Sequence, residues 1–120
     1  MTNQEQVKAQ HNRFMKMALT LAQKAGRIGE VPVGAVVVIS GKVVGKGYNQ
    51  SIRKNDPTAH AEILALRQAA RKTGNYRLTS ATVYCTLEPC LMCAGALIWA
   101  RVQCLVYGTK DLKAGAIDSH

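Results

Sequence analysis

The segment that most restricts what this chain can become is Pro89-Cys90-Leu91-Met92-Cys93, read together with Thr58-Ala59-His60-Ala61-Glu62 upstream. Pro89 favours the first position of a helix, where its missing N–H costs nothing, so Cys90 and Cys93 project from one face of a first turn. Unpaired N–H groups and the positive end of the helix dipole lie at the same place and draw thiols toward the thiolate that a metal requires. Zinc takes four ligands in a tetrahedron, and a catalytic zinc keeps one position for water, so two cysteines and one histidine complete the protein's share. His60 is the third ligand, and the expected cofactor is one Zn2+ per chain.

An isolated His-x-Glu is more often a surface pair than a site; coupled to Pro-Cys-x-x-Cys it gains meaning. Two residues two apart on a helix are separated by about 200°, so His60 and Glu62 cannot share a face in mid-helix. At a first turn one curls over the open end while the other reaches in from the side. Asp56 followed by Pro57 reads as a cap and first helical position, with Ile63, Leu66 and Ala70 as the buried stripe and Gly74 as the stop. The metal then sits between the N-termini of two helices. Glu62, beside it, is the candidate catalytic group: a fixed carboxylate able to take a proton from an acidified water and pass it on.

The rest reads as scaffold. Phe14, Met17, Ala18, Leu21, Ala22 and Ala25 follow a helical period, which predicts a helix over 11–25 ended by Gly26. His11, without a metal-spaced companion, is expected at the surface. The β-branched run Val33 to Ile39 suits a central strand, and the turn Ser40-Gly41-Lys42 leads to a second strand over 43–48, an antiparallel hairpin. Residues 82–87 alternate as a third strand, 90–100 are apolar nearly all round and read as a buried helix, and 102–107 form a fourth strand. This order implies an α/β protein, three layers α/β/α around a mixed sheet, with strand ends and helix N-termini meeting at one edge. A chain of 120 residues is expected to hold one domain, 1–120.

Composition narrows the setting. No apolar run approaches the ~18 residues of a membrane span and the N-terminus lacks a signal-like apolar stretch, which predicts a cytoplasmic chain with no membrane partner. Four cysteines then favour metal or structural thiols over disulfides. The net charge of +9 invites a polyanion such as nucleic acid, although the basic residues are scattered rather than gathered in a block.

Cys85 and Cys104 admit two readings. With Cys90 and Cys93 they have the spacing of a plant-type [2Fe–2S] ferredoxin. Against that, Cys85 lies in an alternating strand, Pro89 favours a helix where a cluster needs an open loop, and His60 and Glu62 go unused; two buried small hydrophobes is the simpler reading. A zinc-stabilised RNA-binding domain without catalysis is a further alternative.

His60-Ala61-Glu62 with Pro89-Cys90-Leu91-Met92-Cys93 resembles the signature of the zinc nucleobase deaminases. Glu30-Val-Pro-Val-Gly-Ala, Asn55-Asp-Pro-Thr-Ala-His-Ala-Glu-Ile, Asn75-Tyr-Arg-Leu, Thr86-Leu-Glu-Pro-Cys and Cys93-Ala-Gly-Ala are similar to bacterial tRNA-specific adenosine deaminases, from about Phe14 to Ala116. The resemblance implies a cytidine deaminase-like fold and hydrolytic conversion of adenosine to inosine at the wobble position of a tRNA anticodon. It also implies a homodimer, the anticodon stem-loop as partner, and Asn49, Val33 and Ala61 as substrate-binding residues. Relatives deaminating guanine or cytidine share the zinc site. That family continues with further sheet and a C-terminal helix, so a chain stopping at His120 reads as a domain incomplete at its C-terminus.

Overall fold

The computed structural model describes residues 2–119. Its elements run α1 Asn3–Arg27, β1 Gly34–Ile39, β2 Lys42–Tyr48, α2 Ala61–Thr73, β3 Thr82–Leu87, α3 Leu91–Ala100 and β4 Cys104–Thr109. The sheet order is β2-β1-β3-β4; β1 pairs antiparallel with β2 and β3, and β3 pairs parallel with β4. The mixed sheet is thus as the sequence implies. Phe14 of α1 packs on Val36, Val38 and Tyr84 on one face, while α2 and α3 cover Val37, Val83 and Cys85 on the other. The three layers follow from the pleat: alternate residues of β1 and β3 point to opposite faces, and both faces are apolar.

Five expectations shift. The first helix begins eight residues before His11, because Thr2 caps it and accepts the Glu5 N–H at 3.1 Å, a Ser/Thr-x-x-Glu start ahead of the apolar stripe. His11 is partly buried, its Nδ1 2.6 Å from the Tyr84 hydroxyl. Helix α2 starts at Ala61, not Pro57: Asp56 Oδ1 accepts both the N–H and hydroxyl of Thr58, which closes a turn and leaves His60 extended as the cap. Likewise α3 begins at Leu91 with Cys90 as its cap, rather than at Pro89, and β4 lies two residues later than its apolar run suggested.

Helix α3 is not wholly buried. Cys93, Ala94, Leu97 and Ala100 face the sheet, whereas Leu91, Ile98 and Trp99 are 79%, 75% and 79% exposed. An all-apolar helix against a single sheet can bury only one side. Of the two spare cysteines, Cys85 is buried as expected and Cys104 is exposed at the start of the edge strand β4; all four cysteines are free thiols.

Helix α2 lies directly on β2 because that strand offers glycine. A Cβ on Gly47 would overlap the Ala61 carbonyl oxygen and sit 2.8 Å from the Ala65 nitrogen. This close approach sets the height of the turn that carries His60 and Glu62. Gly47→Ala is therefore expected to lower stability by about 1–3 kcal/mol in denaturant melts, and zinc affinity falls with it.

Candidate metal centre and nucleobase pocket

Both ligand-bearing segments end in an extended cap followed by a helix. His60 has φ −82° and ψ 154°, and Cys90 has φ −72° and ψ 176°, so each side chain points past its helix end rather than along its flank. Cys93 follows three residues after Cys90 and is fully buried. His60 Nδ1 then lies 3.6 Å from Cys90 Sγ and 3.5 Å from Cys93 Sγ. Zn–N of about 2.0–2.1 Å and Zn–S of about 2.3 Å at tetrahedral angles place N and S about 3.6 Å apart. The three atoms fit a zinc ion, and among the described residues they form the one His/Cys/Asp/Glu group of three or more close enough to hold a metal. Cys85 and Cys104 lie outside it, which leaves the iron–sulfur spacing without a geometry.

The helix N-terminus alone does not make a thiolate of Cys93, contrary to expectation. Burial, then the charges of Glu62 and Cys90, push the Cys93 thiol far up; a dication reverses that balance, since a coordinating thiol is deprotonated outright. Burial also raises the Glu62 carboxyl, against the opposing pull of its own N–H, Cys93, His60 and Cys85. Glu62 is 4% exposed and sits at the cavity rather than in the ligand set. A carboxyl lifted toward neutrality is the kind that exchanges protons in both directions. The Cys85 thiol, on β3 beneath it, is held well above its ordinary value by burial first and by the Glu62 charge second.

Above the metal position opens a cavity of about 190 Å³ lined by Val31, Val33, Asn49, His60, Glu62, Leu87, Glu88, Cys90, Asp111 and Ala114. Val33 and Asn49 both line this cavity. Asn49 Oδ1 accepts the Ala61 N–H at 2.8 Å, capping α2 from outside, which leaves Nδ2 as its free donor. Ala61 itself is fully buried in the core and absent from the cavity wall.

Two carboxylates that shape the cavity were missed by the sequence reading. Glu30, 7% exposed, accepts the N–H of Ile52 at 3.1 Å and of Arg53 at 2.7 Å, and so ties down the 49–57 loop. Glu88, 2% exposed, accepts from the N–H groups of Asp111, Ile117, Asp118 and Ser119 and from the Ser119 hydroxyl. Both are acids next to apolar or proline-containing segments, and that local contrast was the available signal. Burial pushes Glu88 up, but the bonds from Ser119, Asp118 and Ile117 outweigh it and hold the carboxyl down at about 2, against 4.5 ordinarily. A depressed carboxyl contributes stability that is complete above about pH 4.5 and is lost as pH falls toward 2. In a series of melts from pH 7 to pH 2, Glu88→Gln is expected to flatten that acid limb.

A parallel β3–α3–β4 unit beside an antiparallel hairpin, with a histidine and a cysteine each capping a helix over one cavity, defines the zinc-dependent nucleobase deaminase class. The chain belongs to the family of the cytidine and deoxycytidylate deaminase zinc-binding region, whose model matches residues 8–109. It is 54% identical over 108 residues to a tRNA-specific adenosine deaminase of Haemophilus influenzae, covering 89% of this chain and 62% of that protein. So the chain spans about three fifths of that relative's length. Among solved structures, one from work on A-to-I editing by tRNA:A34 deaminases superposes with a TM-score of 0.89 at 47% identity, covering 91% of this chain and 84% of that one. A guanine deaminase from Bacillus subtilis gives 0.81 at 42% identity, covering 83% and 64%. The cofactor of this site is zinc, one ion per chain.

Proposed function

We infer that the chain carries out hydrolytic deamination of adenosine to inosine at the wobble position of a tRNA anticodon. The observation that carries this is the Glu62 carboxylate in one cavity with His60 and Cys90 of the metal donor set. When bound, zinc supplies Lewis acidity that brings a water into the neutral titration range. Glu62 would take one proton of that water and deliver it to ring nitrogen N1 as oxygen adds to C6. It would then take the second proton from the added hydroxyl and give it to the departing amine, so that the C6–N bond breaks. Water and adenosine are consumed, and inosine and ammonia leave. Val33 and Leu87 supply apolar walls, Asn49 Nδ2 a donor to the base, and His60, Cys90 and Cys93 hold the metal.

A base reaches such a cavity only when unstacked, which is easiest in a single-stranded loop. Exposed Arg53 and Lys54 on the loop that begins at the cavity residue Asn49, and exposed Lys110 and Lys113 next in sequence to the cavity residues Asp111 and Ala114, suit the phosphates of an anticodon stem-loop. The exposed face of Leu91, Ile98 and Trp99 on α3 supports a homodimer. Among the described residues no helix is long and apolar enough to cross a membrane, which supports a cytoplasmic site of action.

The test is ammonia release by the zinc-loaded chain from three substrates: a stem-loop with a wobble adenosine, free guanine, and cytidine. The stem-loop is expected to react fastest. A preference for guanine would transfer the chain to the second reading, which its likeness to the guanine deaminase fold favours.

A further inference from the structure

Glu88 lies two residues before a zinc ligand, and its carboxylate is bonded by the segment after β4. Oε2 accepts from the N–H groups of Ile117 at 2.9 Å, Asp118 at 2.7 Å and Ser119 at 3.0 Å. Oε1 accepts from the Asp111 N–H at 3.1 Å and from the Ser119 hydroxyl. The segment between these anchors is also pinned to the zinc-ligand loop, Gly115 pairing with Cys90 across an isolated β-bridge. Asp111 closes its own turn by accepting the Lys113 and Ala114 N–H groups, and Ala116 donates to the Pro89 carbonyl at 2.9 Å. Gly115 is buried against the Glu88 carboxyl, where any Cβ would overlap it. From this strap Asp111 and Ala114 reach the cavity, on the wall that also carries Glu88.

We propose that Glu88 is a positioning residue for substrate: its carboxylate gathers the backbone of residues 111–119 into a strap that forms one wall of the base pocket. A buried carboxylate receiving five donors is a rigid anchor, because leaving any of those N–H groups unpaired costs more than the bond gains. Gly115 of the strap pairs with the Cys90 backbone, but the strap adds no donor atom to the His60, Cys90 and Cys93 group, so its expected effect is on where the base sits rather than on the proton transfers. This rests on the deaminase reading for its kinetic part only.

The experiment compares wild type, Glu88→Gln, Glu88→Ala and Gly115→Ala as full chains, by amide hydrogen exchange, zinc content and stem-loop kinetics. Glutamine keeps one acceptor oxygen, which Ile117, Asp118 and Ser119 retain, and turns an NH2 toward the Asp111 N–H. Exchange protection should therefore fall at Asp111 alone in the glutamine variant and at residues 111 and 117–119 in the alanine variant. KM should rise a few-fold for Gln and more than about 10-fold for Ala, the cost of leaving several buried donors unpaired, with kcat within a few-fold and zinc at one per chain. Gly115→Ala, which lifts the strap while Glu88 is intact, should show the same KM pattern.

Unchanged protection in Glu88→Ala overturns the proposal, as does lost protection with an unchanged KM. A fall in zinc content parallel to the KM rise overturns it too, since Glu88 would then be serving the ligand loop. Should the wild-type chain form no inosine, the deaminase reading fails, and the exchange pattern alone still decides whether Glu88 holds the strap.

Discussion

Glu62→Ala is expected to retain one zinc per chain and to lose on the order of 10²–10⁴-fold in kcat, the range for removing a positioned general acid–base. The reason is the division of labour at the site. Zinc is gripped by His60, Cys90 and Cys93, whose donor atoms already meet at tetrahedral spacing, and Glu62 stands at the cavity beside them. Alanine removes the proton carrier without removing a donor atom. It also relieves a buried negative charge next to two sulfurs, so the variant is expected to melt no lower than wild type. Elemental analysis beside single-turnover kinetics checks this; zinc loss in Glu62→Ala would make Glu62 a ligand instead.

Cys93→Ala is expected to behave oppositely, losing zinc and turnover together. Cys93 is fully buried and contributes one of only three protein donors, so its removal leaves a two-coordinate remnant. Altering a group that merely supports a ligand typically costs 10–100-fold in metal affinity, and loss of the ligand itself should exceed that. The fold should survive, because the small side chain leaves most of the packing of Leu97, Val83 and Ala100 in place. Zinc competition with a chromophoric chelator measures the first effect and circular dichroism the second. Wild-type zinc affinity in Cys93→Ala would dismantle the proposed centre.

Much of this was readable in advance because it was periodic or punctuated. The α1 stripe, the hairpin through Ser40 and Gly41, the Gly74 stop with φ of 70°, and the bounds of β3 all follow from local rules. The helix starts differ from expectation for a common reason: proline suits a first helical position, yet at both sites the chain runs one to three residues past it before winding up. At α2 the turn is held by Asp56 on Thr58, and the cap acceptor comes from Asn49, twelve residues away in sequence. Such a long-range cap leaves no local trace.

The amphipathic logic failed at α3 for a different reason. A uniformly apolar helix gives no phase, so Leu91 and Trp99 could not be told from Leu97 until the sheet showed which side it covers. The zinc donors were legible because metal chemistry fixes their types and spacing. Glu30 and Glu88 were not, since a carboxylate that binds backbone N–H groups is specified by where distant loops pass; their apolar and proline-containing neighbours hint at burial but do not name the partners.

The most direct test of the central claim is to prepare the chain at zinc loadings from zero to one per chain and measure inosine formed in a stem-loop carrying a wobble adenosine. Inosine formation rising in proportion to zinc, and reaching its ceiling at one zinc per chain, is the result expected of a single His60, Cys90 and Cys93 centre served by Glu62. Inosine yield independent of zinc content, or none at full loading, would contradict it.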